Sequence, residues 1–125
     1  MAARKSCEVP YPNMYASIVI VDGKEYTNAK DIASAHKFNQ VQRGHQNGLE
    51  NFPFALALAI IGGLAHPRVA SFGLLCWTAG AHIYSQQYAS SGPASRNNGL
   101  ALFKYLGLVT LLGLNTLAAF NNLTN

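Results

Sequence analysis

The length of 125 residues indicates a single domain, but the formal charge of +4 hides an uneven distribution along the chain. All five acidic residues fall within the first 50 positions, and the remaining 75 positions carry three formal charges, Arg68, Arg96 and Lys104. Such sparse charge excludes an ordinary soluble domain there and is typical of a membrane-embedded segment. The scattered basic residues lack interleaved aromatic platforms and argue against a nucleic-acid partner. The widely separated Cys7 and Cys76 imply no disulfide framework.

The N-terminal part is predicted to be extended and then to turn back on itself. Pro10 and Pro12 oppose a helix, so residues 1–16 are expected to form an extended lead-in. Residues 17–28 have the pattern of a β-hairpin around Asp22-Gly23. A mobile polar loop is an equal alternative for this stretch.

A long helix is predicted next, capped by Asn28 or Asp31. Its apolar part, residues 52–65, is short for a membrane span of about 20 residues, so the preceding turns must supply the missing length. Pro53 is expected to kink this helix. The turn at residues 66–68 is expected to end it.

Two further apolar segments follow, at residues 69–84 and 100–120, separated by a polar connection. The single charge in the last segment, Lys104, is expected to reach back to the membrane interface. The fold class is therefore an all-α integral membrane helical bundle with three transmembrane helices. We assign residues 1–35 to a cytosolic N-terminal segment with an insertion, and residues 36–125 to the membrane bundle.

The distribution of lysine and arginine predicts the orientation of these spans. Three spans place the two ends of the chain on opposite sides of the membrane. The first 50 residues and the connection after the second span together carry seven Lys/Arg residues, whereas the opposite side carries Arg68 alone. The positive-inside bias therefore places the N-terminal segment in the cytosol.

Five polar side chains fall on one face of the first long helix, because helical residues advance by about 100° each. This polar stripe consists of Asn39, Arg43, Gln46, Asn47 and Glu50. Arg43 can hold a carboxylate through two parallel hydrogen bonds, and Glu50 can accept an ammonium group. The amides of Gln46 and Asn47 suit peptide groups. A solvated face with Arg43 paired to Asn47 is the alternative, although polar groups beside a membrane helix are costly without a task.

The polar stripe lies in a recognisable motif. The sequence QRGHQNGLENFP, followed by an apolar helix and HPR, resembles the microsomal glutathione transferases of the MAPEG superfamily, especially their type 3 branch. The resemblance extends to ARKSCEVPYPNMYA, YSQQYASSGPASR and, more loosely, LFKYLGLVTLLGL. It covers most of the chain apart from roughly residues 17–35, which look like an insertion. Family members usually carry another transmembrane helix before the ARK segment, so we expect the chain to lack the first helix of the family.

The resemblance implies a homotrimer that binds glutathione, as co-substrate, between neighbouring subunits and open to the cytosol. In the family the RxxxNxxE motif holds glutathione, which gives Arg43, Asn47 and Glu50 binding roles. His45 stands where some relatives have a glutamine that contacts the ligand. Asn51 stands where a related branch has a ligand-binding tyrosine, which departs from the family pattern.

The resemblance also assigns residues near the end of the second span. Tyr84 and Tyr88 match tyrosines that line the glutathione site, although an aromatic belt at the membrane interface is the alternative. Arg96 matches an arginine that activates the thiol, because a nearby cation favours the nucleophilic thiolate. Its alternative is an anchor for phospholipid headgroups. Ala81 departs from the family near a position where relatives often have arginine.

These features predict a membrane-bound glutathione transferase, with glutathione-dependent peroxidase activity as a further possibility. The expected partners are glutathione, lipophilic electrophiles or lipid hydroperoxides, membrane lipids and two further copies of the chain, with no nucleic acid and no metal site. The endoplasmic reticulum is the expected membrane, and an outer organelle membrane is the alternative. The alternative function is a non-catalytic lipid-binding or scaffold member of the superfamily, or an inactive truncated form.

Overall fold

The computed structural model describes residues 2–124, which form three long helices preceded by a small N-terminal subassembly. The elements in chain order are α1 (Ala2–Ser6), β1 (Ile18–Val21), β2 (Lys24–Thr27), α2 (Ile32–Ala65), α3 (Pro67–Ser91), a short 3₁₀ helix (Gly99–Leu102) and α4 (Phe103–Thr124). Helices α2, α3 and α4 pack against one another. Helix α3 lies between α2 and α4 and has much more contact with each of them than they have with one another. The predicted all-α architecture is confirmed, with the hairpin as its one β element among the described residues.

The extended lead-in predicted for residues 1–16 is wrong at its start. Residues 2–6 form α1, whose last turn is closed by a hydrogen bond from the Cys7 N–H to the Ala3 carbonyl at 3.0 Å. Pro10 and Pro12 lie beyond this helix and therefore do not remove any of its hydrogen bonds.

The N-terminal segment packs directly on the first turns of α2. Its buried side chains, together with two from α2, form a cluster of Cys7, Val9, Ala16, Ala35 and Phe38. Apolar burial of this kind holds a segment against its neighbour. The boundary drawn between residues 35 and 36 stays a prediction, but the two sides of it share one small core.

Residues 18–27 form the β-hairpin rather than the alternative loop. The two strands pair antiparallel, with Val21 opposite Lys24. The connecting residues Asp22 and Gly23 have φ angles of 49° and 74°. Two successive residues with positive φ are what a two-residue turn of type I′ requires, and Asp-Gly is a favoured sequence for it.

Helix α2 begins after Asp31, one of the two predicted caps. The Asp31 carboxylate accepts a hydrogen bond from the Ser34 N–H at 2.7 Å, satisfying a backbone donor that the helix leaves free. This hydrogen bond lowers the pKa of Asp31 below its ordinary value. The other candidate, Asn28, instead accepts from the Ser17 N–H at 2.9 Å, next to the start of the hairpin.

Helices α2 and α3 form a tight antiparallel pair. A single residue, His66, separates them, and Pro67 occupies the first position of α3, where its missing N–H costs nothing. This confirms the predicted turn. A Cβ built on Gly44 would lie 3.0 Å from the Ser85 carbonyl oxygen, so the two helices are in close contact near the opposite end of the pair as well.

Helix α3 continues to Ser91, seven residues beyond the predicted end of its apolar segment. It ends at Gly92, whose φ of 75° suits glycine. Tyr88 therefore lies on the helix one turn after Tyr84, as the match of both tyrosines to the second span implied.

Glycines bring the backbones of α3 and α4 into contact. A Cβ on Gly80 would lie 2.0 Å from the Lys104 nitrogen, and one on Gly107 would lie 2.4 Å from the Trp77 nitrogen. Small residues at such crossings let membrane helices approach closely. The consequence for the site is that Lys104 is fixed directly against α3.

Two segments among residues 2–124 are long and apolar enough to cross a membrane, Ile32–Ala65 and Gly99–Thr124. In the most apolar stretch of each segment, only 17% and 28% of the residues are buried within the chain. The core helix of a soluble protein would be mostly buried. Helix α3 is long enough but not apolar enough to be counted with them, so the third span stays a prediction.

Candidate functional site

A cavity of about 350 Å³ lies between α2, α3, α4 and the connection from α3 to α4. This volume falls at the lower end of the range of small-molecule sites. Five of the seven predicted site residues line it: Arg43, Asn47, Tyr84, Tyr88 and Arg96. Residues far apart in the sequence, from two helices and a connection, are thus brought to one place.

A salt bridge on α2 adds a sixth predicted residue to the edge of this cavity. Arg43 Nη1 and Glu50 Oε1 are 2.9 Å apart, two helical turns along α2. The alternative pairing of Arg43 with Asn47 is therefore replaced by an ion pair. The two side chains are 45% and 46% exposed, and an exposed pair of this kind contributes little stability and is readily exchanged for another partner.

The rest of the polar stripe holds the N-terminal segment. The Asn39 side chain accepts from the Ala16 N–H at 2.7 Å and donates to the Ala16 carbonyl at 2.9 Å. The Tyr15 hydroxyl donates to the Gln46 side-chain oxygen. The stripe predicted from helical spacing thus divides into a structural part at Asn39 and Gln46 and a cavity part at Arg43 and Asn47.

His45 does not lie on this cavity. It lies two residues, or about 200° of helical rotation, from Arg43, and it contributes to a separate concavity beside Phe38, Val41 and Ser85. Within one chain the structure therefore does not bring His45 together with the other predicted site residues.

Lys104 is a member of the cavity that the sequence analysis did not predict. The residue is 9% exposed, and its Nζ lies 3.4 Å from the centroid of the Tyr84 ring and 4.8 Å from that of Tyr105. The expected extension towards the interface is wrong, because Gly80 draws the Lys104 backbone against α3 and leaves the side chain facing inward. The available signal was the isolated charge itself, since ionisable residues inside apolar spans usually mark functional sites.

The connection that carries Arg96 is anchored on both sides of it. The Ser95 hydroxyl donates to the Gln87 carbonyl at 3.0 Å, and the Tyr105 hydroxyl donates to the Asn97 side-chain oxygen at 3.2 Å. Arg96 itself is exposed at the mouth of the cavity. Its neighbours in the sequence therefore hold its backbone in place while its guanidinium remains free to meet solvent or a ligand.

The opposite end of the cavity is less polar than the mouth, although Asn51 of α2 contributes an amide to it. Trp77 and Ala81 lie on the earlier, deeper part of α3, and Leu108 lies one turn beyond Lys104 on α4. The Trp77 ring also contacts Phe52 of α2, with 6.1 Å between ring centroids. The cavity thus runs from a charged mouth at Arg96 to an uncharged interior that is lined by Trp77, Ala81, Leu108 and Asn51.

The charges that line the cavity are all positive. They belong to Arg43, Arg96 and Lys104, and among residues 2–124 no carboxylate side chain lines the same space. Glu50 neutralises Arg43 from the edge, which leaves Arg96 and Lys104 without an acidic partner in the part of the chain that the structure describes. Such a site favours a ligand with more than one negative group.

A comparison with protein-family models identifies the relatives of this chain. Residues 1–117 match the model of the MAPEG family. The chain belongs to the MAPEG family. No solved structure matches the chain. MAPEG proteins are helical membrane proteins and include glutathione transferases and related enzymes, so this MAPEG chain is an integral membrane protein whose family is compatible with that chemistry.

Proposed function

We propose that this MAPEG protein is a glutathione transferase of the type 3 branch, located in the endoplasmic reticulum membrane and assembled as a homotrimer. In this proposal it joins the glutathione thiolate to lipophilic electrophiles that enter from the bilayer. The observation that carries the proposal is the convergence of Arg43, Asn47, Tyr84, Tyr88 and Arg96 on one cavity with excess positive charge.

Each of these groups has a role that matches a part of glutathione. Arg43 offers paired donors to a carboxylate, and Asn47 offers an amide to the peptide groups. Glu50 gives up part of its ion pair with Arg43 and binds the ammonium group of the ligand instead. This is possible because the Glu50 side chain is half exposed. Tyr84 and Tyr88, whose ring centroids are 6.0 Å apart, form the wall along which the tripeptide lies.

Arg96 acts at the mouth, where a cation attracts the anionic ligand and favours ionisation of its thiol. In the transferase reaction the thiol proton passes to solvent, and the sulfur lone pair forms a bond to the electrophilic carbon. The leaving group then departs with its bonding electrons. In the peroxidase reaction two glutathione molecules reduce one hydroperoxide to an alcohol and water and become a disulfide.

The lengths of the helices support a membrane arrangement with three spans. Helix α2 has 34 residues and a length of about 51 Å, against a hydrocarbon thickness of about 30 Å. Its N-terminal turns, which carry Arg43, therefore project towards the aqueous side while residues 52–65 lie in lipid. Since α3 runs back along α2, it crosses the same layer in the opposite direction. The mouth of the cavity then opens at the aqueous surface and its uncharged end faces the bilayer.

The test is glutathione binding by calorimetry on the detergent-purified protein. We expect saturable binding that is weakened at least tenfold in Arg43→Ala, because a charge-assisted pair to a carboxylate is lost. Arg68→Ala is the matched control, since Arg68 lies near the start of α3, outside the cavity, and this variant should bind normally. Equal binding by the wild type and Arg43→Ala would remove the polar stripe from the site. No binding by folded wild-type protein would favour the lipid-binding or scaffold function instead.

A further inference from the structure

Lys104 is a buried cation without an anionic partner among residues 2–124. It is 9% exposed, and the described contacts of its ammonium group are the faces of Tyr84 and Tyr105, at 3.4 and 4.8 Å from the ring centroids. Aromatic faces replace only part of the hydration that a buried ammonium gives up. Three N–H donors therefore lie in the cavity without a hydrogen-bond acceptor that matches their charge.

The surrounding ionisable groups do not supply that acceptor. Tyr84 and Tyr88 of α3 contribute phenol rings rather than carboxylates, Arg96 on the connection is a second cation, and Arg43 of α2 is already paired with Glu50. The unmet requirement is a negative charge next to Lys104. Because no such group lines the cavity among residues 2–124, we take it to come from a molecule that enters the cavity.

The position of Lys104 indicates which part of a ligand this is. Arg96 lies at the exposed mouth, whereas Lys104 lies one turn from Leu108, at the transition to the uncharged end. A lipophilic electrophile from the bilayer would arrive at that end. The group that meets it there must be the reacting sulfur rather than a carboxylate, which is better solvated at the mouth.

Arg96 and Lys104 also differ in how strongly each can stabilise a nearby anion. An interaction between charges grows as the effective dielectric constant falls, so a buried cation affects a neighbouring ionisation more than an exposed one at the same distance. Solvent screens Arg96, and protein surrounds Lys104. The buried residue is therefore the stronger stabiliser of an anion placed between them.

We propose that Lys104 is the principal cation that stabilises the glutathione thiolate in this site. The inference rests on the proposed function and adds a residue to it. The thiol gives its proton to solvent, the thiolate takes the place opposite the Lys104 ammonium, and its lone pair then forms the bond to carbon. Arg96 attracts and orients the ligand at the mouth and makes the smaller contribution to ionisation.

The experiment is a pH titration of the ultraviolet absorbance of the bound thiolate, with calorimetry on the same samples. We expect wild-type protein to hold the bound thiol well below its free pKa of about 8.5. Lys104→Met should have the bound thiol pKa raised by at least about one unit, a tenfold loss of thiolate at low pH. Its binding should remain saturable at a pH below the bound thiol pKa, where glutathione binds as the neutral thiol. Lys104→Arg should restore most of the shift, and Arg96→Ala should raise the pKa by less than Lys104→Met.

The outcomes separate this inference from the function on which it rests. Absence of glutathione binding by wild type would overturn the proposed function, and the inference with it. Normal binding with an unchanged thiol pKa in Lys104→Met would overturn the inference alone, as would a larger change in Arg96→Ala. Lys104→Gln, checked by circular dichroism, repeats the measurement with a polar neutral side chain in case the methionine variant fails to fold.

Discussion

Replacement of Gly80 by alanine tests whether backbone contact between α3 and α4 builds the site. The added Cβ would lie 2.0 Å from the Lys104 nitrogen and 2.8 Å from the Phe103 carbonyl carbon. Both are backbone atoms, so no side-chain rotation relieves the overlap. Ordinary contact begins near 3.4 Å, and the helices must therefore separate by about 1.4 Å at this point.

The expected cost follows from that displacement. A radial gap of 0.5–1 Å already removes about a quarter to a half of the dispersion energy of each atom pair, and overpacking costs about 1–3 kcal/mol or more. Alanine recovers about 1 kcal/mol through its helix propensity. We therefore expect Gly80→Ala to lower the free energy of unfolding by about 2 kcal/mol and to displace Lys104 from Tyr84.

The assay is unfolding in mixed detergent micelles followed by circular dichroism, with Gly113→Ala as the control. Gly113 also lies in a membrane helix, but a Cβ there meets nothing within 4 Å. The control should be as stable as wild type or slightly more stable. If Gly80→Ala were no less stable than Gly113→Ala, the close crossing of α3 and α4 would not exist in the folded protein.

Two further predictions concern polar groups that hold α2 in place. The lowered pKa of Asp31 means that its cap stabilises α2 fully above the ordinary carboxyl pKa and is lost as pH falls through the lowered value. The Ser34 amide NMR signal should titrate at acid pH in wild type but not in Asp31→Asn, whose neutral side chain still caps. Asn115 donates to the Leu58 carbonyl at 2.9 Å. Asn115→Ala should therefore lower the free energy of unfolding by about 1 kcal/mol. An unchanged stability in Asn115→Ala would contradict the role of this hydrogen bond between α4 and α2.

Local signals in the sequence located the three long helices, but they left the hairpin and a loop as equal alternatives and missed α1. Apolar runs, the Asp22-Gly23 turn and the proline at the start of α3 act through neighbouring residues, so their effects could be predicted without a fold. The continuation of α3 through its polar turns was missed, because those turns are held by contacts with α2 and the following connection rather than by apolar periodicity.

The cavity could be predicted only in part. Helical spacing grouped Arg43 and Asn47 correctly, but it also included Asn39, because rotation about one helix does not reveal which neighbour covers each side chain. Lys104 was missed for a similar reason. Its inward direction depends on the contact at Gly80, which joins residues 24 positions apart and leaves no local pattern.

The single-residue junction at His66 has a consequence for how the chain enters a membrane. Helix α3 is less apolar than α2 and is not among the segments that are apolar enough to cross a membrane. In the proposed three-span arrangement, the single residue between the two helices keeps them together, so the strongly apolar half of α2 would draw α3 in with it. In the three-span arrangement proposed above, the translocation machinery would receive α2 and α3 as one helical hairpin, with Arg68 crossing at its tip.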